Sequence, residues 1–437
     1  MGNCRLQVAL DFVDLHRALD VAVKAVEGGA DYIEAGTPLI KSEGLDAVRK
    51  LRDLFPDRLI IADMKTMDAG KIETEAAAKA GANIITVCGT ASGTTIRECV
   101  EAGLRYGIKV AVDLLGMENP LNILQSLKSF GVAWVDVHCA IDAQMEGKDP
   151  FELLRKVRKE TDLTLAVAGG INSETAALAV KAGADVVIVG GAITKAKDVK
   201  KAASNIRKAI DTSMPVETEL FRRVTEKDIR RILSMVKTSN ISDGSHRQPC
   251  LYGIKPITQG SQICGPAVTV RTYPGDWAKP VEAIDVAQEG DVIVIDACGL
   301  PPAIWGELAS ESAQNKGIAG LVVHGAIRDT AEIRKLGFAV WTKLITSNAG
   351  DPHGMGEINQ PIVISGQKIE PGDWIVADDD GVMVLQKERV VEMANRAADV
   401  FEAENRIRQE IRDKKSTLAR VVNLRRWEKK GVQNAIG

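Results

Sequence analysis

Apolar and polar positions alternate with two different rhythms along this chain of 437 residues. In the first half, short runs rich in Val, Ile, Leu and Ala return about every 25 residues, the length of one strand plus one helix. They fall at 6–10, 31–34, 59–62, 83–87, 109–114, 133–137, 164–168 and 185–189. Between them lie amphipathic stretches with helical spacing, as at 15–27, 70–80 and 94–106. Gly29-Ala30, Gly81-Ala82 and Gly183-Ala184 stop helices just before the next strand. Strict strand–helix alternation over eight beats predicts an α/β fold, a parallel sheet closed into a (β/α)8 TIM barrel over residues 1–212.

Beyond residue 212 the rhythm is lost. Pro215 stops the last barrel helix, and 213–217 reads as a linker. A helix is expected over 228–236, a turn at 238–243, and strands at 265–271, 292–296, 320–323 and 339–342. A late strand pair, 361–365 with 373–377, should surround the turn Glu370-Pro371-Gly372-Asp373. A long amphipathic helix over 387–412 closes the chain. Residues 218–437 therefore read as a second domain, α/β or α+β, with no repeat of the first.

Composition removes several function classes. The net charge of -3 and the lack of a basic stripe argue against direct nucleic-acid binding. Seven scattered cysteines without a C-x-x-C pair predict reduced thiols in a cytoplasm, not disulfides or a zinc site. Met1-Gly2-Asn3-Cys4-Arg5 lacks the apolar core of a signal peptide. No apolar run approaches the ~20 residues of a membrane helix.

The candidate chemistry collects at strand ends. Asp11, Glu34, Asp63, Asp113 and His138 each close a predicted strand, as do Gly169-Gly170 and Gly190-Gly191. In a barrel, that rim is where catalytic groups gather. Asp63 and Lys65, two apart, share one strand face, and a buried carboxylate and ammonium are a poor way to build a core. Asp68 lies past the strand, on the loop. Each feature has a plain alternative. Asp63 and Lys65 could form a surface ion pair, Asp11 and Asp113 could cap helices, and His138 could be an interior histidine with its bonds satisfied. Glycine pairs also serve tight turns, but two of them on the final strands fit a backbone cradle for phosphate.

With these residues in view, the first half resembles the orotidine-monophosphate-decarboxylase superfamily. Its hallmark D-x-K-x-x-D is matched by Asp63, Lys65 and Asp68. Glu34, within Ile33-Glu34-Ala35-Gly36-Thr37-Pro38, stands where the decarboxylases carry lysine, so the chain looks like the magnesium-dependent branch. That branch includes 3-hexulose-6-phosphate synthase and 3-keto-gulonate-6-phosphate decarboxylase. Ile141, where the decarboxylases have arginine, favours the synthase, although Ala140 replaces a glycine of the synthase pattern. The resemblance implies Glu34 and Asp63 on Mg2+, with Mn2+ as an alternative. It implies a sugar phosphate and formaldehyde as substrates, and Asp68 in a neighbouring subunit's site, hence a dimer. His138 is the candidate proton carrier. Asp11 and Lys65 are candidate catalytic and sugar-binding groups, with Gly169, Gly170, Gly190 and Gly191 on the phosphate. The direction of reaction stays open, and a gulonate-phosphate decarboxylase is the alternative.

In the second half, Gly325-Ala326-Ile327-Arg328-Asp329 and Trp305-Gly306-Glu307-Leu308 are the chemical signal. Asp329 alone could be a helix N-cap, with Arg328 solvated. The wider pattern, with Gly290-Asp291-Val292 and Ala377-Asp378-Asp379, resembles the family shared by regulator of ribonuclease activity A and 4-hydroxy-4-methyl-2-oxoglutarate aldolases. That family implies a swivelling β/β/α-like domain, a trimer as one assembly, Asp329 on a divalent metal, Arg328 on a keto-acid, and Glu307 contacting metal-bound water. A non-catalytic binding module is the alternative.

Overall fold

The structure is a computed structural model and describes residues 4–218, 228–422 and 424. The domain expected at 218–437 therefore lies partly outside the described residues. Two compact units divide the chain. The first holds most of residues 1–222 together with 405–437, and the second holds 145–147 and 223–404. The end of the long closing helix, Val390–Asp413, thus groups with the first unit. There Arg17 Nη2 meets Glu410 Oε2 at 3.1 Å.

The first unit is a closed barrel of eight parallel strands in sequential order. They are β1 (Arg5–Leu10), β2 (Tyr32–Ala35), β3 (Leu59–Thr66), β4 (Ile84–Cys88), β5 (Lys109–Asp113), β6 (Trp134–His138), β7 (Thr164–Ala168) and β8 (Val186–Val189). Period-two alternation explains what lies on each face. Leu6, Val8, Leu10, Ile33, Ile60, Ile85, Val112, Val135, Val137, Val167 and Val187 turn outward into the layer under the helices. The intervening positions turn inward. At the lower end these are Tyr32, Ile61, Ile84, Ala111 and Trp134, and a second group holds Ala9, Ala166, Ala168, Val186 and Ile188. The same inward positions further along carry Glu34, Asp63, Asp113, Asp136 and His138. The polar groups therefore share the upper interior because of strand parity.

The helices follow the amphipathic pattern. Leu15–Glu27 buries Ala18, Val21, Ala22 and Ala25, and Asp14 Oδ1 accepts from the Arg17 amide at its start. Helix Val199–Thr212 is the last of this unit before the linker region. After it, the Val216 amide donates to the Ser173 carbonyl at 3.0 Å and the Thr218 amide to Glu174 Oε1 at 3.1 Å.

The second unit is built on a mixed sheet. Its strands are β9 (Lys255–Pro256), β10 (Ile263–Arg271), β11 (Val292–Asp296), β12 (Gly320–Ile327), β13 (Val340–Ile345), β14 (Glu357–Ile358), β15 (Ile362–Ile364), β16 (Gln367–Ile369), β17 (Trp374–Ala377) and β18 (Val382–Leu385). The order is β18-β17-β10-β11-β12-β13-β9, with β10 to β13 parallel and β14 beside β10. Val268, Ile293, Ile295 and Leu321 feed one core, while Val292, Val294, Val322 and Trp341 feed the other. Two expectations fail here. Residues 238–243 are not a turn but part of a helix, Thr238–Gly244, whose start is tied to Asp378. The segments 361–365 and 373–377 do not pair with each other. β15 turns back onto β16, while β17 joins β10 and β18, because a second reversal at Ser365-Gly366 comes before the Pro371-Gly372 turn. No helix among the described residues is long and apolar enough to cross a membrane.

Candidate active site in the barrel

The site begins with a distortion. Lys65 has a φ of 49°, and the pairing of β3 with β4 slips between Ala62 and Thr66. A non-glycine residue in the left-handed region costs energy and persists only where its surroundings fix it. Here they do. Lys65 Nζ lies 2.7 and 2.8 Å from the two oxygens of Asp63 and 2.9 Å from Asp113 Oδ2. Asp63 and Lys65 meet as expected, but across a bulge, not along a regular pleat. Thr37 Oγ1 donates to Asp63 Oδ2 at 2.6 Å, and Thr86 Oγ1 donates to Asp63 Oδ1.

Asp113 is the second hub. Its Oδ2 accepts from His138 Nδ1 at 2.9 Å as well as from Lys65. Burial works against its charge, but the bonds from His138 and Lys65 win, and its pKa falls to about 2. Lys65 is likewise pushed up: burial opposes its charge, and Asp63, Asp113 and Glu34 overcome it. A carboxylate can only accept, so His138 presents its proton on Nδ1 to Asp113 and keeps the Nε2 lone pair for the barrel interior.

Glu34 is buried and accepts from Gln7 Nε2 at 2.6 Å. Burial, followed by repulsion from Asp63 and Asp11, raises its pKa well above the carboxylate range. Asp136, inward on β6, is raised the same way by burial and then by Asp113, and its Oδ1 has no hydrogen-bond partner among the described residues. Asp11 opens toward the barrel mouth beside Gly36 and Gly190, where loss of water and Asp63 raise it. Sequence reading missed Asp136, Thr37, Thr86 and Gln7. Strand parity could have found Asp136, which is two residues before His138 and so on the same face.

The acid surplus is the feature that fits a cation. Asp11, Glu34, Asp63, Asp113 and Asp136 crowd one interior against Lys65 and His138. A hard divalent ion would offset the burial and the repulsion that raise the Glu34 pKa, and hard oxygen donors suit Mg2+. No group of three ligand-type side chains is arranged as a metal cage among the described residues. Two carboxylates with waters and substrate completing the shell agree with how Mg2+ binds.

The glycine pairs close the rim. Gly169 and Gly170 have φ of 105° and 71°, and a side chain on Gly169 would collide with the Cys139 carbonyl. Gln144 Nε2 donates to that same carbonyl at 2.8 Å. Gly190 precedes the short helix Gly191–Thr194; its carbonyl accepts from the Ile193 and Thr194 amides, each at 3.0 Å, which leaves the Gly191 and Ala192 amides as the ones a phosphate could use. The Lys195 side chain packs 3.7 Å from the position a Gly191 Cβ would take. Ala140 keeps an ordinary backbone, so its replacement of glycine does not disturb this turn. Asp68, in contrast, is not brought to Asp63 or Lys65 within the chain. It is exposed and bonds the Ala69 amide at 2.7 Å.

In the second unit, Arg328 and Asp329 come together, and Glu307 reaches them through its backbone amide. The Arg328 amide donates to the Trp305 carbonyl at 3.0 Å, drawing the loop before Glu307 along the end of β12. Asp329 does not cap the helix Thr330–Leu336. Its φ is 57°, and its side chain makes no capping bond. The left-handed backbone turns the carboxylate back, where Oδ2 accepts from the Glu307 amide at 3.3 Å and lies 3.5 Å from Arg328 Nε. Arg328 and Asp329 stay close to half exposed.

Buried Asp136 carries a stability prediction. A carboxyl whose pKa rises on folding holds a proton that the unfolded chain has released, so its effect on stability worsens as pH rises above the usual carboxylate range. Asp136→Asn removes that ionisation. Its melting temperature, compared with the parent by calorimetry, should improve progressively from pH 5 to pH 8. A difference independent of pH would mean that Asp136 ionises normally.

Residues 4–206 match the family model described as Orotidine 5'-phosphate decarboxylase / HUMPS family, and residues 238–384 match the RraA-like model described as Aldolase/RraA. The 3-hexulose-6-phosphate synthase of Mycobacterium gastri is 40% identical over 208 residues, which is 47% of this chain and 99% of the relative. That of Bacillus subtilis is 38% identical over 206 residues, 47% of this chain and 98% of the relative. A solved 3-hexulose-6-phosphate synthase structure is 40% identical with a TM-score of 0.45, covering 47% of this chain and 99% of the other. The first unit is thus a barrel enzyme of the orotidine-decarboxylase and HUMPS class. Within that class the chain belongs to the 3-hexulose-6-phosphate synthase family, which are aldehyde-lyases, and it carries an RraA-like domain beyond the barrel.

Proposed function

We propose that the barrel joins formaldehyde to ribulose 5-phosphate, giving 3-hexulose 6-phosphate, and runs the cleavage in reverse. The observation that carries this reading is the chain of contacts from Asp63 through Lys65 and Asp113 to His138 on one rim. The sugar phosphate would lie with its phosphate on the Gly169-Gly170 and Gly191 amides, and its hydroxyls on Asp11 and Lys65. His138 Nε2 takes the C1 proton, with Asp113 holding Nδ1 and stabilising the imidazolium that results. Lys65, held protonated, faces the oxygens on which negative charge develops. The new bond joins C1 to the formaldehyde carbon, and His138 returns its proton to the aldehyde oxygen. Glu34 and Asp63 would hold Mg2+, which when bound stabilises the enediolate charge. Ile141 stands where the gulonate-phosphate decarboxylases carry arginine, so that reading is the weaker one. The protein would work in the cytoplasm, in keeping with its free cysteines. Purified protein given ribulose 5-phosphate and formaldehyde should consume the aldehyde with Mg2+ and stop on addition of EDTA. Equal consumption with EDTA would remove the metal from the reading. No consumption at all would remove the reaction.

For the second unit we propose cleavage or decarboxylation of a small keto-acid to pyruvate. Arg328 would clamp the carboxylate in a bidentate fork, Asp329 would hold a divalent metal, and Glu307 would contact the metal's water. The turned-back Asp329 supports this reading over a surface module, because its strained backbone serves the Glu307 contact and no helix cap. The full chain should release pyruvate from 4-hydroxy-4-methyl-2-oxoglutarate or oxaloacetate with Mg2+ or Mn2+. Arg328→Ala and Asp329→Ala should each lose about 100-fold or more, as loss of a charge-stabilising group does. Release unchanged by both variants would reject the site, and no release by the parent would favour the binding module.

A further inference from the structure

A cavity of about 610 Å3 opens in the first unit, and neither Asp11, Lys65, His138 nor Gly191 lines it. Its walls are the helix Leu15–Glu27, the segment 194–199, the end of the closing helix Val390–Asp413, and residues 420–422. All of these wall residues belong to the first unit. On the first helix Arg17, Asp20 and Lys24 face the cavity, and on the second Arg406, Glu410 and Asp413 do. Both sets recur at helical spacing, so each is one face. Two charged faces do not close on each other as apolar faces do, and the space between them stays open. Phe12, Val21 and Val199 give part of the wall an apolar surface.

The charges along this wall do not balance. Lys and Arg outnumber Asp and Glu in the lining by six to four. The imbalance gathers around Glu410. Its carboxylate accepts from Arg17 Nη2 at 3.1 Å and from Lys414 Nζ at 2.9 Å, and it is also the acid whose field reaches Arg406. Three cations thus share one carboxylate. Arg406 has the fewest partners. Its Nη1 donates to the Thr194 carbonyl at 2.9 Å, its Nε is buried without a partner, and its Nη2 bonds nothing among the described residues. Burial, then Arg17 beside it, brings its pKa down to about 10. A cation out of water without an acid of its own is costly to the fold, and a guanidinium fork matches an anion. Lys197 and Arg420, also in the lining, are exposed and form no ion pair among the described residues.

We propose that this cavity binds a small phosphate monoester, with the phosphate on Arg406 and Arg17 and the uncharged body against Phe12, Val21 and Val199. A phosphate dianion matches the surplus of two positive charges around Glu410, and Arg406 Nη2 supplies a free donor for it. A carboxylate brings half that charge. A bare phosphate leaves most of the cavity unfilled, whereas its volume is in the range of small-molecule sites. The ligand touches the helix Leu15–Glu27 on one side and the end of the closing helix on the other, so it holds the two together.

Glycerol 3-phosphate is the probe, titrated by calorimetry into full-length Gly191→Asp protein in EDTA, so that the phosphate cradle proposed in the barrel does not compete. It should bind saturably, and amide hydrogen exchange over residues 405–413 should slow at saturation. Glycerate, with a singly charged carboxylate for the phosphate, and inorganic phosphate, without the body, should each bind about tenfold more weakly. Arg406→Met in the same background should weaken the probe about tenfold or more. That change also removes the Thr194 contact, so Glu410→Gln supplies a test of opposite sign. Removing the acid that holds Arg17 and Lys414 and repels a dianion should tighten the probe about threefold or more, which a loosened helix cannot do. Neither result depends on the barrel reaction. The proposal is overturned if no saturable binding occurs or if exchange over 405–413 is unchanged. It is equally overturned if glycerate or inorganic phosphate matches the probe, if Arg406→Met binds like its background, or if Glu410→Gln fails to tighten.

Discussion

Asp63→Asn should remove nearly all aldehyde-lyase activity while leaving the barrel folded. The amide keeps the shape of the side chain but loses its charge. Asp63 now accepts from Lys65, Thr37 and Thr86 at once, so asparagine would turn an amino group toward at least one donor. Lys65 would lose its shortest contact, at 2.7 Å, and with it the force holding its left-handed backbone. The carboxylate that would hold the metal beside Glu34 is lost as well. Electrostatic groups of this kind are each worth about 100- to 1,000-fold in rate, and this one serves two functions. The effect should appear in kcat more than in KM, because the developing charge is felt in the transition state. Formaldehyde consumption within a few-fold of the parent would sink the assignment of Asp63. Circular dichroism on the same sample separates lost chemistry from lost structure.

The other large effect should come from Gly191→Asp. In the proposed site a carboxylate there would face the phosphate dianion across the Gly191 and Ala192 amides, and like charges at contact distance repel strongly in a site with little water. KM for ribulose 5-phosphate should rise at least about 100-fold, with a smaller change in kcat. Gly191→Ala is the informative companion. A Cβ at this position meets nothing closer than 3.7 Å, where the Lys195 side chain lies, so the methyl fits and KM should change little. The sensitivity is thus to charge and not to bulk. The reverse holds at Gly169, where any side chain meets the Cys139 carbonyl. If Gly191→Asp binds substrate normally, the phosphate sits elsewhere on the rim.

Metal and proton should be linked in this site. Glu34 is held protonated above the usual carboxylate range by burial and by Asp63 and Asp11. Binding a cation there would displace that proton, so metal affinity should rise with pH until Glu34 ionises without help. Asp113 behaves in the opposite way. Its lowered pKa means that the stabilisation from His138 and Lys65 is present at neutral pH and is lost only as pH falls toward 2.

Much of this protein was legible in local pattern. The eight-beat rhythm determined the barrel, because strand and helix periods are properties of neighbouring residues and survive any packing. Strand parity then placed Glu34, Asp63, Asp113 and His138 inside one rim, since a residue two positions along points the same way. The glycine pairs at the ends of β7 and β8 were legible for the same reason. Tertiary structure alone decided what depends on register and closure. The bulge at Lys65 arises because Asp63 and Asp113, fifty residues apart in sequence, both claim its ammonium. Asp136 became a buried acid only when β5 and β6 paired. In the second unit, local pattern left Asp329 open as a helix cap, and the loop before Glu307, drawn along β12 by the Arg328 amide, supplied a different partner for its carboxylate. Asp296 and His324 likewise met only because β11 and β12 paired. Local periodicity fixes which face a side chain takes. Which charged group waits on that face is settled by strands that are distant in the chain.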